Sequence, residues 1–574
     1  MGWLRGLGRV AGGGLLVALV VPALAPWASA VLDRGPRGSA RLSPLPAALA
    51  AFDPFVWQCA RNSAAVAGVV AAGSIVLGVG LGVLAGRGRF WGRPILSGLA
   101  LAPLAAGSLL IAPGVEVLMG GGRSWDWLAA RSALGYSCED LARWAALAWV
   151  GLATGVPLVI LATSSALARL DPAWAEAARA VGASRARIWR DVTWPIIRPE
   201  VARAAAAVFA LALVEPAGPQ ALGLRRTLAV QILDAARRLD DPTRAATLAV
   251  LAILIAAVGR SLIARWAGPT GPGPRPEPHP AHDYQPPTGR RAAWATVPIL
   301  AAWALFAVGP AVVTLSRAFE GAGALSAGGW AVATLGWLAD PEARGWAANA
   351  ATTSGLAVGV DLAVLAAFAG WGPRGPGRSF GLALRVLGAV PPLALGVGAL
   401  AIPWLLVALA GEAGADAGVA RWLRALALEL SPGRSPGLLL VVALAAGRLP
   451  MLAAAAELAR SRARPVLEEA ALVLGLPARR ARRAGDGRWL GIVPGRPVVL
   501  ALVLAATNLA PALVLTPYSE RRTLAPAAFL LDLEAGGIDP RAAGPLAAIL
   551  AANLLGFVIA ARGRPGRVGD WFRG

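Results

Sequence analysis

Runs of about twenty apolar residues, separated by shorter polar stretches, recur along the whole chain. They fall near 10–32, 64–86, 95–119, 143–166, 201–222 and 245–264, and again near 293–316, 347–370, 381–410, 436–458, 497–517 and 541–561. About twenty residues of helix cross the hydrocarbon core of a bilayer. Inside that core a helix satisfies its own backbone N–H and C=O groups within one segment. The pattern therefore predicts an all-α polytopic membrane protein of about 12 transmembrane helices. The blocks divide six and six about the stretch GPTGPGPRPEPHPAHDYQPPTG, Gly268 to Gly289. So much Pro and Gly cannot form a packed element and reads as a linker. The predicted organisation is a first unit over 1–265 with its core at about 60–265, a linker over 266–292, and a second unit over 293–574 with its core at about 345–561.

The two units repeat each other. Asn62 and Gly68 correspond to Asn349 and Gly355, Pro103 to Pro392, and Glu176-Ala177-Ala178 to Glu469-Ala470-Ala471. Arg225-Arg226-Thr227-Leu228-Ala229 recurs as Arg521-Arg522-Thr523-Leu524-Ala525, and Asp241-Pro242 with Arg244 recurs as Asp539-Pro540-Arg541. One match means little in so Ala-rich a chain, but their common order and slowly drifting offset exclude coincidence. A six-helix unit duplicated in the same orientation predicts two halves related by an axis along the membrane normal.

Composition adjusts this picture in three ways. Hydrophobic residues make up 57% of the chain and charged ones 15%, against about a quarter charged in soluble domains; a soluble multidomain protein is excluded. The net charge of +22 would suggest nucleic acid in a soluble protein, but in a membrane protein arginines gathered in cytoplasmic loops fix orientation. That bias places both termini and the linker in the cytoplasm. Thirdly, the chain contains no lysine. A phosphate-binding loop of the type G-x-x-x-x-G-K-[ST] needs one, so no ATP site of that type is possible in this chain. The amino terminus imitates a secretory signal, with Arg5 and Arg9 before an apolar run and Ala28-Ser29-Ala30 after it; its length favours an uncleaved first helix.

The most specific stretch is the polar loop between the fourth and fifth blocks, DPAWAEAARAVGASRARIWRDVTWPIIRPE, residues 171–200. Asp171 suits a helix cap and Pro172 a first turn. Ala177 and Ala178 favour helix and allow close approach of a partner. Gly182 suits a left-handed helix end, and a second helix from Arg185 to Thr193 is predicted to stop before Pro195. The segment resembles the EAA loop of type I ABC import permeases: Glu176, Ala177, Ala178, Gly182 and Pro195 stand at that loop's spacing, with Val192 and Trp194 at its Ile and Leu positions. The second copy, residues 465–494, keeps Glu469, Ala470, Ala471 and Gly475 but departs afterwards, with Gly485, Gly487 and Arg488 at the expected Ile, Leu and Pro positions.

The resemblance implies a permease subunit of an ATP-driven importer in the bacterial inner membrane, not itself an enzyme and without a cofactor of its own. ATP would be bound by a separate cytoplasmic ABC ATPase homodimer docked on the two loops, and substrate delivered by an extracytoplasmic solute-binding protein. Two fused halves without a soluble insert resemble the iron(III), thiamine or phosphonate import permeases. The rival reading is an ion-coupled secondary transporter of about 12 helices, which would place ionisable or broken-helix ion sites near the midplane; the sequence offers few.

Ionisable residues within spans are costly and are functional candidates by default. Glu215, late in the fifth block, and Asn508, at the equivalent place in the second unit, are candidates to line a pathway; an interfacial or arginine-paired Glu215 is an equal alternative. Asp361 is expected to pair or to face the bundle interior, and Glu116 to lie near a helix end. Cys59 and Cys138, the only two cysteines, fall in predicted outside loops, and two unpaired thiols are the simpler reading. His279 and His282 lie in the linker without a neighbouring Cys and make a poor metal site.

Overall fold

In the computed structural model, all twelve apolar blocks lie wholly or mainly in helix. The structure describes residues 2–30, 32–34, 40–42, 53–87, 93–119, 137–168, 170, 172–237, 242–268, 290–321, 336–368, 377–412, 417–431, 436–474, 477, 495–516 and 521–561. The linker histidines, Asp171, Gly475 and the Gly485 to Pro494 part of the second loop lie outside them.

The first half comprises α1 (Gly2–Ser29), α2 (Pro54–Arg87), α3 (Arg93–Leu118), α4 (Ser137–Ala168), α5 (Pro172–Ala180), α6 (Arg185–Ile188), α7 (Trp194–Leu213), α8 (Ala217–Ala221), α9 (Leu228–Arg237) and α10 (Pro242–Ala267). The second comprises α11 (Arg290–Ala307), α12 (Gly309–Gly321), α13 (Pro341–Phe368), α14 (Gly377–Ala389), α15 (Pro392–Glu412), α16 (Ala417–Glu429), α17 (Pro436–Val473), α18 (Gly495–Ala506), α19 (Ala510–Leu515), α20 (Leu524–Ala535) and α21 (Ala543–Ala561). A short antiparallel hairpin pairs Leu32–Arg34 with Ala40–Leu42.

Among the described residues, 8 helices are long and apolar enough to cross a membrane, or 9 if the pair α11 and α12, bent by 49°, is one span. The remaining blocks differ for local reasons. The fifth block of each half is a helix, a break and a short helix: Val214 to Pro216 separates α7 from α8, and Thr507 to Leu509 separates α18 from α19. Pro216 and Pro511 at these places cannot donate a backbone bond to a continuing helix. The first block is helical as far as Ser29, within the 28-residue helix α1. Cys59 lies within α2 and Cys138 in the first turn of α4, so the expectation that both sit in loops is corrected. Cys59 is a buried free thiol. The helices absorb these residues because α2 and α4 begin well before their apolar blocks.

Residues that correspond in the sequence repeat make corresponding bonds. Asn62 Nδ2 donates to the Arg226 carbonyl at 3.2 Å, and Asn349 Nδ2 donates to the Arg522 carbonyl at 3.2 Å. In each half this bond fastens the second long helix to the segment before the Thr-Leu-Ala turn. The first helices are exchanged. α1 packs chiefly on α15 and α13 of the second half, and α12 on α3 of the first. Both contacts run backbone to backbone: the Pro22 carbonyl lies against Gly398, and the Pro310 carbonyl against Gly114. A β-carbon at either glycine would collide with that carbonyl. Thr314 Oγ1 donates to the Leu110 carbonyl at 2.7 Å beside the second of them. The last helix of each half also crosses over, α10 onto α15 and α21 onto α3; Asn553 Nδ2 donates to the Ala105 carbonyl at 2.8 Å and Arg260 Nη1 to the Gly388 carbonyl at 2.7 Å. Buried apolar side chains from both halves, among them Leu110, Ile232, Leu393 and Leu449, form one continuous core.

Candidate functional site

The polar loop after α4 folds as a helical hairpin. Its first helix is α5. The N–H of Gly182 donates to the Arg179 carbonyl at 2.9 Å and that of Ala183 to the Ala178 carbonyl at 3.0 Å, the paired bonds that close a helix end through a left-handed residue. Gly182 takes that conformation, φ +80°. Ser184 then starts the next helix, its Oγ accepting from the Arg187 N–H at 3.3 Å.

The second helix does not stop before Pro195, as the sequence predicts. α6 passes through a π turn, Trp189–Thr193, straight into α7. Pro195 has no N–H for the carbonyl four residues back, and its ring crowds that carbonyl. Widening the turn moves the carbonyl aside, so the proline shapes the helix instead of ending it. On this turn Arg190 Nε donates to Asp191 Oδ1 at 2.8 Å, and that bond holds the Asp191 carboxyl below its ordinary range.

The hairpin has an anchored side and a bare side. Trp189 and Trp194 stack loosely with centroids 6.3 Å apart, and Trp194 meets Trp266 of α10 edge-on at 6.0 Å. Beneath them Ala166, Leu167 and Ile197 form a small buried cluster with Val83 of α2, and Arg198 Nε donates to the Ala267 carbonyl at 2.8 Å. Three long helices are thus held at one point. On the bare side Glu176, Ala177 and Gly182 are exposed, Ala178 is half-buried, and Trp174 and Val181 are 56% and 84% exposed. Pro195 is also exposed. An apolar tryptophan and valine facing outward beside a glutamate is a surface suited to a protein partner.

The second copy is built differently. Glu469, Ala470 and Ala471 continue the helix α17, which runs unbroken through Pro465 to Val473. The first half breaks between α4 and α5; the second does not. The two loops therefore present their Glu-Ala-Ala segments on different supports.

Glu215 is engaged on every side. Its Oε1 accepts from Ser108 Oγ at 2.6 Å and from the Ala217 N–H at 3.1 Å, and Oε2 accepts from the Gly218 N–H at 2.8 Å. The carboxylate caps α8, satisfies orphan donors at its start, and ties it to α3 beside Gly107, where φ 63° and ψ 179° kink that helix. Asn508 is half-buried at the matching break before α19. Glu116 stands near the end of α3, as expected.

At the other end of α4 from the hairpin lies a cavity of about 280 Å3 lined by both halves. Counting from Arg143 to Ala168 at 1.5 Å per residue separates the two by roughly 38 Å. The cavity wall includes Glu116, Arg143 and Gln220 from the first half and Phe529, Asp532 and Gly536 from the second. Asp532 Oδ1 accepts from the Asp539 N–H at 2.9 Å. Burial pushes its carboxyl up to about 7. Arg143, Gln220 and Asp532 carry no motif in the sequence. The duplication was the one signal available for Asp532, because Ala236 holds the matching place in the first half. Among the described residues no group of three or more His, Cys, Asp and Glu is arranged to hold a metal ion.

No curated protein matches the chain. A match does come from a family of proteins, over a stretch that opens inside α2, contains the hairpin and ends with α10. Residues 78–267, within the first half, match the family described as the binding-protein-dependent transport system inner membrane component, and the chain carrying them is a multi-pass membrane protein.

Proposed function

We propose that the chain is a transmembrane permease component of an ABC importer, its two fused halves forming one pathway and coupled to separate ATPase subunits. The hairpin of residues 172–194 carries this reading. It is exposed where a partner would bind and fastened where movement must be passed on, to α2, α4 and α10. Glu176, Ala177, Ala178 and Gly182 would meet one ATPase subunit, and Glu469, Ala470, Ala471 and Gly475 its twin. Pro195 would set the angle at which the hairpin joins α7. The solute-binding protein would deliver to the far face, where the cavity between the halves lies. The family resemblance favours iron(III), thiamine or phosphonate as cargo. Both termini would face the cytoplasm.

The test is co-purification of the full chain with the ATPase subunit produced beside it. Wild type retains the ATPase; Glu176→Lys and Gly182→Asp lose it while their content in the membrane is unchanged. Retention by both variants, or uptake by the chain driven by an ion gradient in ATPase-free liposomes, refutes the reading and points to a secondary transporter.

A further inference from the structure

Asp361 and Arg448 face each other inside the second half. Asp361 lies on α13 and is fully buried, and neither of its carboxylate oxygens has a hydrogen-bond partner. Arg448 lies on α17 and is 6% exposed. Its Nε donates to the Leu444 carbonyl at 3.1 Å and its Nη1 to the Ala501 carbonyl of α18 at 3.2 Å, while Nη2 has no partner. Arg448 is the charge that Asp361 feels, yet the two make no direct bond. A buried carboxylate with no donor and a guanidinium with a spare one form a costly arrangement in a membrane interior.

The first half shows what this place requires for packing alone. The repeat offsets that relate Asn62 to Asn349 and Glu176 to Glu469 carry Asp361 onto Ser74 and Arg448 onto Gly155. The offset that relates Glu215 to Asn508 carries Ala501 onto Val208. Those three residues do meet: a β-carbon on Gly155 would lie 2.7 Å from both Ser74 Oγ and Val208 Cγ1. The same junction of three helices is thus a tight neutral contact in one half and a loosely engaged charge pair in the other. Packing does not need the charges.

We propose that Asp361 and Arg448 are positioning residues of the transport cycle, open in the conformation seen here and closed to a direct ion pair in the alternate one. Arg448 would exchange its hold on the α18 backbone for Asp361, drawing α17 toward α13 and freeing α18. The first half, with Ser74 against Gly155 and Val208, would hold its three helices together throughout. Conformational change would then be concentrated in the second half. This rests on the importer reading above, because it needs two states interconverted by ATP.

The experiment uses the full chain assembled with its ATPase subunits in lipid nanodiscs. ATP hydrolysis is measured, together with hydrogen exchange across 341–368 and 436–456 with and without Mg-ATP. Wild type should show an ATP-dependent change in exchange in these helices. Asp361→Asn and Arg448→Gln should each abolish that change and alter hydrolysis about tenfold. Together they should alter it by about the same factor, not the hundredfold that independent sites would give. Asp361→Glu should restore the response. The triple change Asp361→Ser, Arg448→Gly and Ala501→Val builds the first half's neutral junction in the second half. It should accumulate at least as well as the single variants, which strand one buried charge, and still fail to respond to ATP. A normal ATP response in the triple variant, or multiplicative single effects, overturns the inference while leaving the importer reading intact. Wild type that binds the ATPase but shows no ATP-dependent change in these helices overturns the inference alone, and wild type that does not bind the ATPase overturns both.

Discussion

The left-handed turn at Gly182 gives the hairpin its shape, and replacing it isolates that contribution. A β-carbon added there meets nothing within 4 Å, so Gly182→Ala adds no collision. Its cost is the left-handed backbone alone, roughly 1–2 kcal/mol for an L-residue with a side chain. Gly182→Asn keeps most of the turn, since Asn tolerates this region by bonding locally. Because α5 has few buried side chains, it opens locally without unfolding the bundle. Amide exchange then reads the change directly, tenfold per 1.4 kcal/mol. Exchange protection within 174–183 should fall about 5- to 30-fold in Gly182→Ala and by less in Gly182→Asn, with the spans unaffected. The sharpest point is the pair of amides at Gly182 and Ala183, whose bonds to Arg179 and Ala178 close the turn. Equal protection in Ala and Gly proteins would refute the account. So would Asn and Ala variants that are equally weakened, because that would mean the position tolerates no side chain for some reason other than backbone conformation.

Three further outcomes follow from the same geometry. Asn62→Ala and Asn349→Ala remove matched bonds and should lower thermal stability in detergent by similar amounts, about 1 kcal/mol each, adding in the double variant because the sites are separate; clearly unequal losses would argue against the matched roles. Glu215→Ala strands Ser108 and two backbone donors and should cost about 3 kcal/mol or more, whereas Glu215→Gln, whose amide nitrogen cannot accept, should fall between; differential scanning of the detergent-solubilised protein separates the three. For Asp532, burial raises the carboxyl to about 7 from about 3.9 in an unfolded chain, so the folded state holds its proton more tightly. The stabilisation is complete below about pH 4 and is lost as pH rises to about 7. Asp532→Asn should therefore gain on wild type across that window, with a ceiling of about 4 kcal/mol at neutral pH, and a pH-independent difference would refute the assignment.

The hairpin was legible to a large degree because its signals are local. Gly182 ends a helix and Pro172 begins one whatever surrounds them, and both do so here. Pro195 was misread because its local meaning, a helix stop, depends on whether the chain behind it can widen by one residue; Trp189 and Trp194, packed over Ile197, Leu167 and Trp266, hold it in a wider turn. Glu215 was legible as unusual but not in its bonding, since Ser108 is 107 residues away. Arg448 stands at the middle of the block 436–458, where a charge is costly. Only the fold shows that it lies opposite Asp361.

Hydropathy alone determined that this is an all-helical, multi-pass membrane protein, because block length is a property of the chain that a bilayer reads one segment at a time. Composition added that this sequence has no lysine with which to build a phosphate loop of the G-x-x-x-x-G-K-[ST] type. Tertiary structure decided what lies between segments distant in the chain. It exchanged the first helices between halves, with Pro22 against Gly398 and Pro310 against Gly114. It made a cap of Glu215, and it set a charged junction in one half where the other has a small neutral one. Such contacts depend on which side chains meet across helix faces. The duplication carries the backbone frame from one half to the other, but each pair of residues that meets in it is set independently.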